Sequence, residues 1–196
     1  MIMNRPAIFI ITGEHGEGKS SFAAALAGIL IENQLKVKGI IAEGYWEGSV
    51  RSGFDLTDPD TGIKIPLAEK RGTDTPVTAS DSANDTGSGR FVFHKSALRK
   101  GNSIIRQAII QKYDVVIIDE IGARELSGEI WSEPLEMLLR SHRGILLLTV
   151  RKKFLETVTG HWQIEPAGIF DISSVRAAQA AEIILRYISS LSPDAK

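Results

Sequence analysis

The residues that most limit what this chain can fold into are Ala7-Ile-Phe-Ile-Ile-Thr12, followed directly by Gly13-Glu-His-Gly-Glu-Gly-Lys-Ser20 and then by the Ala- and Leu-rich stretch Ser21–Gln34. A continuous apolar run rich in β-branched residues reads as a strand buried on both faces, the mark of a parallel sheet covered by helices. The glycine-rich turn fits G-x-x-x-x-G-K-S in full, and it stands between a strand and a helix, the context in which that pattern cradles phosphate. Glycine lets successive backbone N–H groups turn inward around phosphate oxygens. The positive N-terminus of the following helix then faces the anion.

The candidate cradle is Gly13, Glu14, His15, Gly16, Glu17, Gly18, Lys19, Ser20 and Ser21. Lys19 is expected to reach the β- and γ-phosphates and Ser20 to place its hydroxyl on Mg²⁺. The Glu14 and Glu17 carboxylates are expected to face solvent, because turned inward they would oppose the charge of the ligand.

Further along, Asp114-Val-Val-Ile-Ile-Asp-Glu-Ile-Gly122 reads as a buried strand with two carboxylates at its C-terminal edge. Ligands of parallel sheets bind at that edge. Asp119 is therefore the candidate metal ligand with Ser20, and Glu120 the candidate carboxylate that orients or deprotonates an attacking water. Strand alternation points the two acids to opposite faces and allows them separate roles. No N-K-x-D guanine-reading motif is present.

The remaining pattern alternates strands and helices, which implies an α/β three-layer fold. Strands are expected at Gly39–Ala42, Phe91–Phe93, Val115–Ile118, Gly144–Val150 and, weakly and at an edge, Ile169–Asp171. Helices are expected at Asn102–Lys112, Glu129–Ser141, Arg151–Thr157 and Ser174–Ser190, the last with Ser173 or Ser174 as N-cap. Phe54–Thr57 and Ile63–Leu67 flank the turn residues Asp58-Pro-Asp-Thr-Gly62 and read as an appended β-hairpin. Lys70–Arg90 is dominated by Thr, Ser, Asp and Gly and is read as a polar loop insertion, either a lid or unstructured. With 196 residues, one domain spanning 1–196 is expected, carrying the 51–90 hairpin and loop as an insertion.

Composition narrows the partners. Lys and Arg number 23 against 24 Asp and Glu, a net charge of -1, so no global basic field invites nucleic acid or an anionic membrane. Cysteine is absent, which removes disulfides, thiolate metal sites and cysteine nucleophiles and fits a reducing cytosol. The longest apolar run, Phe22–Ile31, falls well short of the ~20 residues of a membrane span, and the N-terminus lacks the features of a signal peptide. A cytoplasmic protein is expected.

With these segments in view, the sequence resembles the cancer-related nucleoside-triphosphatase family, also known from thermophilic bacteria and archaea. Beyond the phosphate loop, the similarity rests on Gly39-Ile-Ile-Ala-Glu43, Arg51-Ser-Gly-Phe54, Pro66-Leu-Ala68, Gly89-Arg-Phe-Val92 and Asp119-Glu-Ile-Gly122 with Glu125-Leu126 after it. The resemblance implies a RecA-like P-loop NTPase fold and slow, Mg²⁺-dependent hydrolysis of several nucleoside triphosphates, ATP and GTP among them. It assigns phosphate and metal binding to Lys19 and Ser20, metal to Asp119 and catalysis to Glu120, with Arg51 and Glu43 near the nucleotide or supporting its loops. The chain departs from the family at Trp46, where Arg is usual, at Ala123-Arg124, where Lys-Met is usual, and at His15, where Pro is usual.

Other residues carry weaker signals. The four histidines lack metal-ligand spacing. Trp46, Trp131 and Trp162 are read as packing residues. Arg51, Arg71, Arg90, Arg124 and Arg151 are each candidates for an arginine finger, with Arg51 and Arg124 favoured because they follow motif segments, and Arg151-Lys-Lys153 is read as a solvated helix start, with a phosphate or partner contact as the alternative. The leading function is an NTP phosphohydrolase. The alternatives are a P-loop nucleotide or small-molecule kinase and a nucleotide-dependent switch that binds a protein partner.

Overall fold

A computed structural model describes residues 5–71 and 91–191. Eight strands form one sheet: β1 (Ala7–Gly13), β2 (Val37–Glu47), β3 (Val50–Thr57), β4 (Lys64–Lys70), β5 (Phe91–Phe93), β6 (Val115–Ile121), β7 (Ile145–Arg151) and β8 (Gly168–Asp171). The helices are α1 (Lys19–Glu32), α2 (Lys95–Ile110), the short α3 (Ala123–Leu126), α4 (Ser132–Ser141), α5 (Leu155–His161) and α6 (Ala177–Leu191). The strand order is β5-β4-β3-β2-β6-β7-β1-β8. Strands β2, β6, β7, β1 and β8 run parallel, and β2 through β5 form an antiparallel meander at one edge. The fold is thus a mostly parallel α/β sheet with helices on both faces, as the strand–helix alternation predicts.

Alternation along each strand sorts the core into two layers. On one face Phe9, Ile11, Ile117 and Leu147 meet Ala23, Leu26, Ala27 and Leu30 of α1 and Ala180, Ala181 and Ile184 of α6. On the other face Ile8, Ile10, Val116, Ile118, Leu146 and Leu148 meet α2, α4 and α5 through Ile104, Ile105, Leu135, Leu138 and Val158. The α1 residues recur at the i, i+3, i+4, i+7 spacing of one helix face. Each fully buried Ile or Leu contributes roughly 1.5–3 kcal/mol, whether it comes from a central strand or from a helix packed on it. Close approach is required at Gly39 (φ 145), where a Cβ would overlap the Ile117 backbone of the neighbouring strand.

The meander has a polar anchor. Lys38 is buried on β2, and its Nζ donates to Asp58 Oδ2 at 3.0 Å and to Asp60 Oδ2 at 3.1 Å, while it lies 5.2 Å from the Tyr113 ring centre. Tyr113 in turn donates its hydroxyl to Asp60 Oδ2 at 2.8 Å. Burial alone would lower the Lys38 pKa, but the two carboxylate partners outweigh it and raise it. The turn expected at Asp58–Gly62 is closed by Gly62 N–H donating to Asp58 O at 2.8 Å and by Asp58 N–H donating to Ile63 O. The hairpin expected on either side of it is β3 with β4.

Several boundaries differ from the sequence expectation, each for a local reason. Strand β2 runs on past Ala42 to Glu47, because its mixed polar half pairs with β3 and needs one covered face rather than two. Helix α2 begins at Lys95, seven residues ahead of the apolar pattern. Helix α4 starts at Ser132, since Gly128 (φ 79) and Ile130 (φ 45) break the backbone before it, and the short α3 was not anticipated. Arg151 ends strand β7, and a 3₁₀ turn over Lys152–Phe154 precedes α5. Neither Ser173 nor Ser174 caps α6. Asp171 Oδ1 accepts both the amide (3.0 Å) and the hydroxyl (2.6 Å) of Ser173, and the chain turns once more before Gln179 Oε1 accepts the Arg176 N–H at 2.9 Å. Of the polar stretch 70–90, Lys70 and Arg71 close the β4 end, and residues 72–90, Arg90 included, lie outside the described residues.

Candidate active site

The glycine-rich loop leaves the C-terminal end of β1 and enters α1, as its motif requires. Gly16 (φ 80) and Gly18 (φ 99) take left-handed backbone, a region that costs a side-chain-bearing residue strain, and Gly18 stands at the N-cap of α1. Lys19 is 4% exposed; its Nζ lies along the loop and donates to Glu14 O at 2.6 Å and Gly13 O at 3.3 Å. Burial lowers its pKa, and the carboxylates of Glu120 and Asp119 pull the other way. Glu17 is exposed, in keeping with the solvent-facing expectation, and its Oε2 accepts the Glu14 N–H at 2.6 Å. Glu14 and His15 are exposed, and the Arg151 charge, followed by burial, lowers the His15 pKa.

The acidic end of β6 lies one strand away, with β7 between it and β1. The β6–β7 register passes from Ile118↔Leu148 to Ile121↔Val150, so Asp119 and Glu120 together oppose Thr149. This two-against-one arrangement is a β-bulge, and Glu120 sits in it with φ 68. Simple alternation therefore does not hold at the two acids: the bulge turns both toward the C-terminal end of β7. Asp119, 1% exposed, accepts the Ala42 N–H at 2.9 Å and the hydroxyl of Thr149, and the Ser20 side chain is near enough to favour its ionised form. Burial and the Glu120 charge raise its pKa to about 6 against those hydrogen bonds. Glu120 N–H donates to Thr149 Oγ1 at 2.7 Å, and Arg151 Nη2 donates to Glu120 Oε2 at 3.2 Å.

Lys19, Ser20, Asp119 and Glu120, widely separated in sequence, thus gather at the C-terminal edge of the parallel strands. The Ser20 side chain neighbours Asp119, and their oxygens are the hard donors that suit Mg²⁺, which is held by one or two carboxylates together with water and phosphate. Among the described residues no group of three or more His, Asp or Glu forms a denser cation site. The arrangement can bind a polyphosphate through loop amides and Lys19, hold a divalent ion beside it and present a carboxylate to water.

Thr149 is the residue beside the acids that motif reading does not single out, and Arg151, one of five arginine-finger candidates, is the one placed beside them. Thr149 carried a signal, as the one polar residue inside Ile145-Leu-Leu-Leu-Thr-Val150. Arg151 looked like part of a basic helix start and instead ends the strand between the loop and the acids. The favoured arginines pack on aromatic rings, and the Arg51 charge also acts on His15 of the loop. Arg51 lies over the Trp46 and Phe54 rings at 4.7 and 5.2 Å, and Arg124 lies over Phe93 at 4.6 Å. Glu43 supports the meander, accepting from Thr57 Oγ1 and Lys64 Nζ at 2.6 Å each. His142 packs with its ring nitrogen on Ile145 O, and His161 packs against Trp162. An open groove lined by Arg5, Glu136, Arg140 and Trp162 lies at the opposite, N-terminal edge of β1 and has no part in this constellation.

Comparison with known proteins places the chain in a family. The sequence model of a family described as NTPase matches residues 8–184. The nucleoside-triphosphatase THEP1 of Thermococcus kodakarensis is 30% identical over 147 residues, 74% of this chain and 77% of that protein. The nucleoside-triphosphatase THEP1 of Pyrococcus abyssi is 30% identical over 153 residues, 76% of each chain. In structure, the chain is similar to a human cancer-related nucleoside triphosphatase (TM-score 0.63, 19% identity, covering 97% of this chain and all of that one). It is also similar to THEP1 from the hyperthermophile Aquifex aeolicus (TM-score 0.58, 20% identity, covering 94% and 98%). No helix among the described residues is long and apolar enough to cross a membrane. A family match across residues 8–184, with relatives 30% identical over three quarters of the chain, means that this chain belongs to the NTPase family that includes the THEP1 nucleoside-triphosphatases.

Proposed function

We propose that the chain is a Mg²⁺-dependent nucleoside-triphosphate phosphohydrolase, converting ATP, GTP and other nucleoside triphosphates to the diphosphate and phosphate, slowly and in the cytosol. The observation that carries this is the convergence of Lys19 and Ser20, from the loop, with Asp119 and Glu120, from the β6 bulge, across one intervening strand. The amides of Gly13–Ser21 and the Lys19 ammonium bind the β- and γ-phosphates. Ser20 and Asp119 would hold Mg²⁺, which when bound offsets charge on the β- and γ-oxygens.

Glu120 orients the water. In the chemical step the water oxygen forms a bond to the γ-phosphorus and the bond from that phosphorus to the β–γ bridging oxygen breaks. The electron pair leaves on the diphosphate, and the water proton passes to the Glu120 carboxylate and then to solvent. Transfer to water rather than to a second substrate is favoured by the relatives, which are nucleoside-triphosphatases.

The test is phosphate release from a panel of nucleoside triphosphates, with Mg²⁺ present or chelated, and with and without nucleoside or metabolite acceptors. Mg²⁺-dependent phosphate release across several bases is expected. Acceptor-dependent diphosphate formation without free phosphate would make the chain a kinase, and tight binding without turnover would make it a switch. Neither nucleic acid nor a membrane is required.

A further inference from the structure

We infer that Arg151 is the residue that reads the γ-phosphate, and that its present partner, Glu120, is released to water when a triphosphate takes its place. The inference rests on the triphosphate hydrolysis proposed above and adds a residue to it.

The placement follows from topology. Strand β7 separates the phosphate-loop strand β1 from the acidic strand β6, so a γ-phosphate between Lys19 and Asp119 lies over the end of β7. Arg151 is the last residue of β7 and pairs in register with Gly13, the first residue of the loop. Leu147 belongs to the core layer under α1, and Thr149 and Arg151 follow it at period two, so Arg151 is directed to the face where the loop and α1 lie. Its charge acts on His15 and Lys19 of the loop as well as on Glu120 of the bulge, so one guanidinium lies between the two.

The contact with Glu120 is built for exchange. It is a single hydrogen bond of 3.2 Å between side chains that are each about one third exposed, at 33% and 38%. Arg151 has five N–H donors in a planar fork that suits phosphate oxygens, and a dianionic γ-phosphate out-competes one carboxylate oxygen for them. Glu120, by contrast, keeps its backbone tie to Thr149 Oγ1 whichever partner Arg151 takes, so its carboxylate is freed without the bulge moving. A diphosphate lacks the group that would draw Arg151 away and leaves the Glu120 contact in place. Arg151 thereby couples presence of the γ-phosphate to availability of the carboxylate.

The experiment compares Arg151→Ala, Arg151→Lys and wild type, with nucleotide affinity measured in the Glu120→Gln background so that the triphosphate survives. Arg151→Ala is expected to lower kcat by about 10²-fold or more, as loss of one preorganised charge-stabilising donor does. It should weaken triphosphate binding about tenfold or more while diphosphate affinity stays within about twofold, because only the γ-phosphate contact is lost. Arg151→Lys should recover part of both losses. If Arg151 merely held Glu120 in position, kcat would fall with no change in the ratio of triphosphate to diphosphate affinity. That result, or wild-type kcat in Arg151→Ala, overturns the inference. Equal weakening of both nucleotides also overturns it, since it would mean general damage to the loop. Failure of the wild type to release phosphate would count against the hydrolase itself, while the affinity ratio would still test Arg151.

Discussion

The hydroxyl of Thr149 on β7 donates to Oδ1 of Asp119 on β6, so the buried carboxylate at the candidate metal position is held from the neighbouring strand. The same oxygen accepts the Glu120 N–H at 2.7 Å, and one side chain therefore fixes both acids of the bulge. Thr149→Val keeps the shape and removes both hydrogen bonds. Stability should fall by about 1–3 kcal/mol, since a buried polar group loses its partner. Turnover should fall about 10- to 100-fold, the usual cost of removing an outer partner of a metal ligand. Thr149→Ser should restore both. Urea unfolding and phosphate release measure the two effects, and wild-type turnover in Thr149→Val would mean that the acids need no such support.

Lys19 and Glu120 should separate binding from chemistry. Lys19 lies along the loop carbonyls of Gly13 and Glu14, where a polyphosphate would meet it, whereas Glu120 reaches the site from the far strand. Lys19→Ala is expected to abolish triphosphate binding in a calorimetric titration. Glu120→Gln is expected to retain binding and lose about 10²- to 10⁴-fold in kcat, the range for a positioned general base. Undiminished kcat in Glu120→Gln removes the base role.

The buried Lys38 should show how firmly the meander is attached. Its ammonium is held by Asp58 and Asp60, with side-chain exposures of 3% for Lys38 and 5% for Asp58. Lys38→Met leaves a buried carboxylate without its cation, and breaking such a pair costs about 3–5 kcal/mol. The double variant Lys38→Met with Asp58→Asn should lose less than the sum of the two single changes. Unfolding free energies from urea titration decide the matter, and a loss below about 1 kcal/mol would mean that water already satisfies the group.

Most of the parallel half of the fold was legible in the sequence, and the reason is periodicity. Strands β1, β6 and β7 are buried on both faces and read as unbroken apolar runs, and the loop after β1 carries its function in glycine spacing. The bulge at Asp119–Glu120 was not legible, because register between strands is a tertiary property and nothing local to β6 says that two of its residues will oppose one of β7. Arg151 was not set apart from the other candidate arginines for the same reason: followed by two lysines it resembles a solvated run, and its pairing with Gly13 is what places it beside the loop. The preference for Arg51 and Arg124 comes from their neighbours in the motifs, and that their guanidinium groups lie over aromatic rings is a tertiary fact the motifs do not carry. The α6 start was lost to competition, with Asp171 capturing the serine expected to cap the helix.

Glu125, inside the Asp119–Leu126 signature, gives a pH dependence of known sign. Its side chain is buried, and Oε2 accepts the Gly122 N–H at 2.9 Å where the chain leaves the bulge for α3. Burial raises its pKa from 4.5 to about 7, while the backbone hydrogen bonds at Gly122 and Trp131 oppose the shift. Between these values the folded state holds a proton that the unfolded state has released, so stability decreases as pH rises. The contribution of Glu125 is complete below about pH 4.5 and is lost as pH passes through 7. Its size, over the 2.5 units between the two values, is about 3 kcal/mol at most. Glu125→Gln keeps an acceptor for Gly122 and removes the charge. Unfolding measured at pH 5.5 and pH 8 should therefore fall less in the variant than in wild type, with the variant the more stable of the two at pH 8. An identical pH dependence in both proteins would mean that Glu125 is ionised in the fold at pH 5.5, and that its amide partners outweigh its burial.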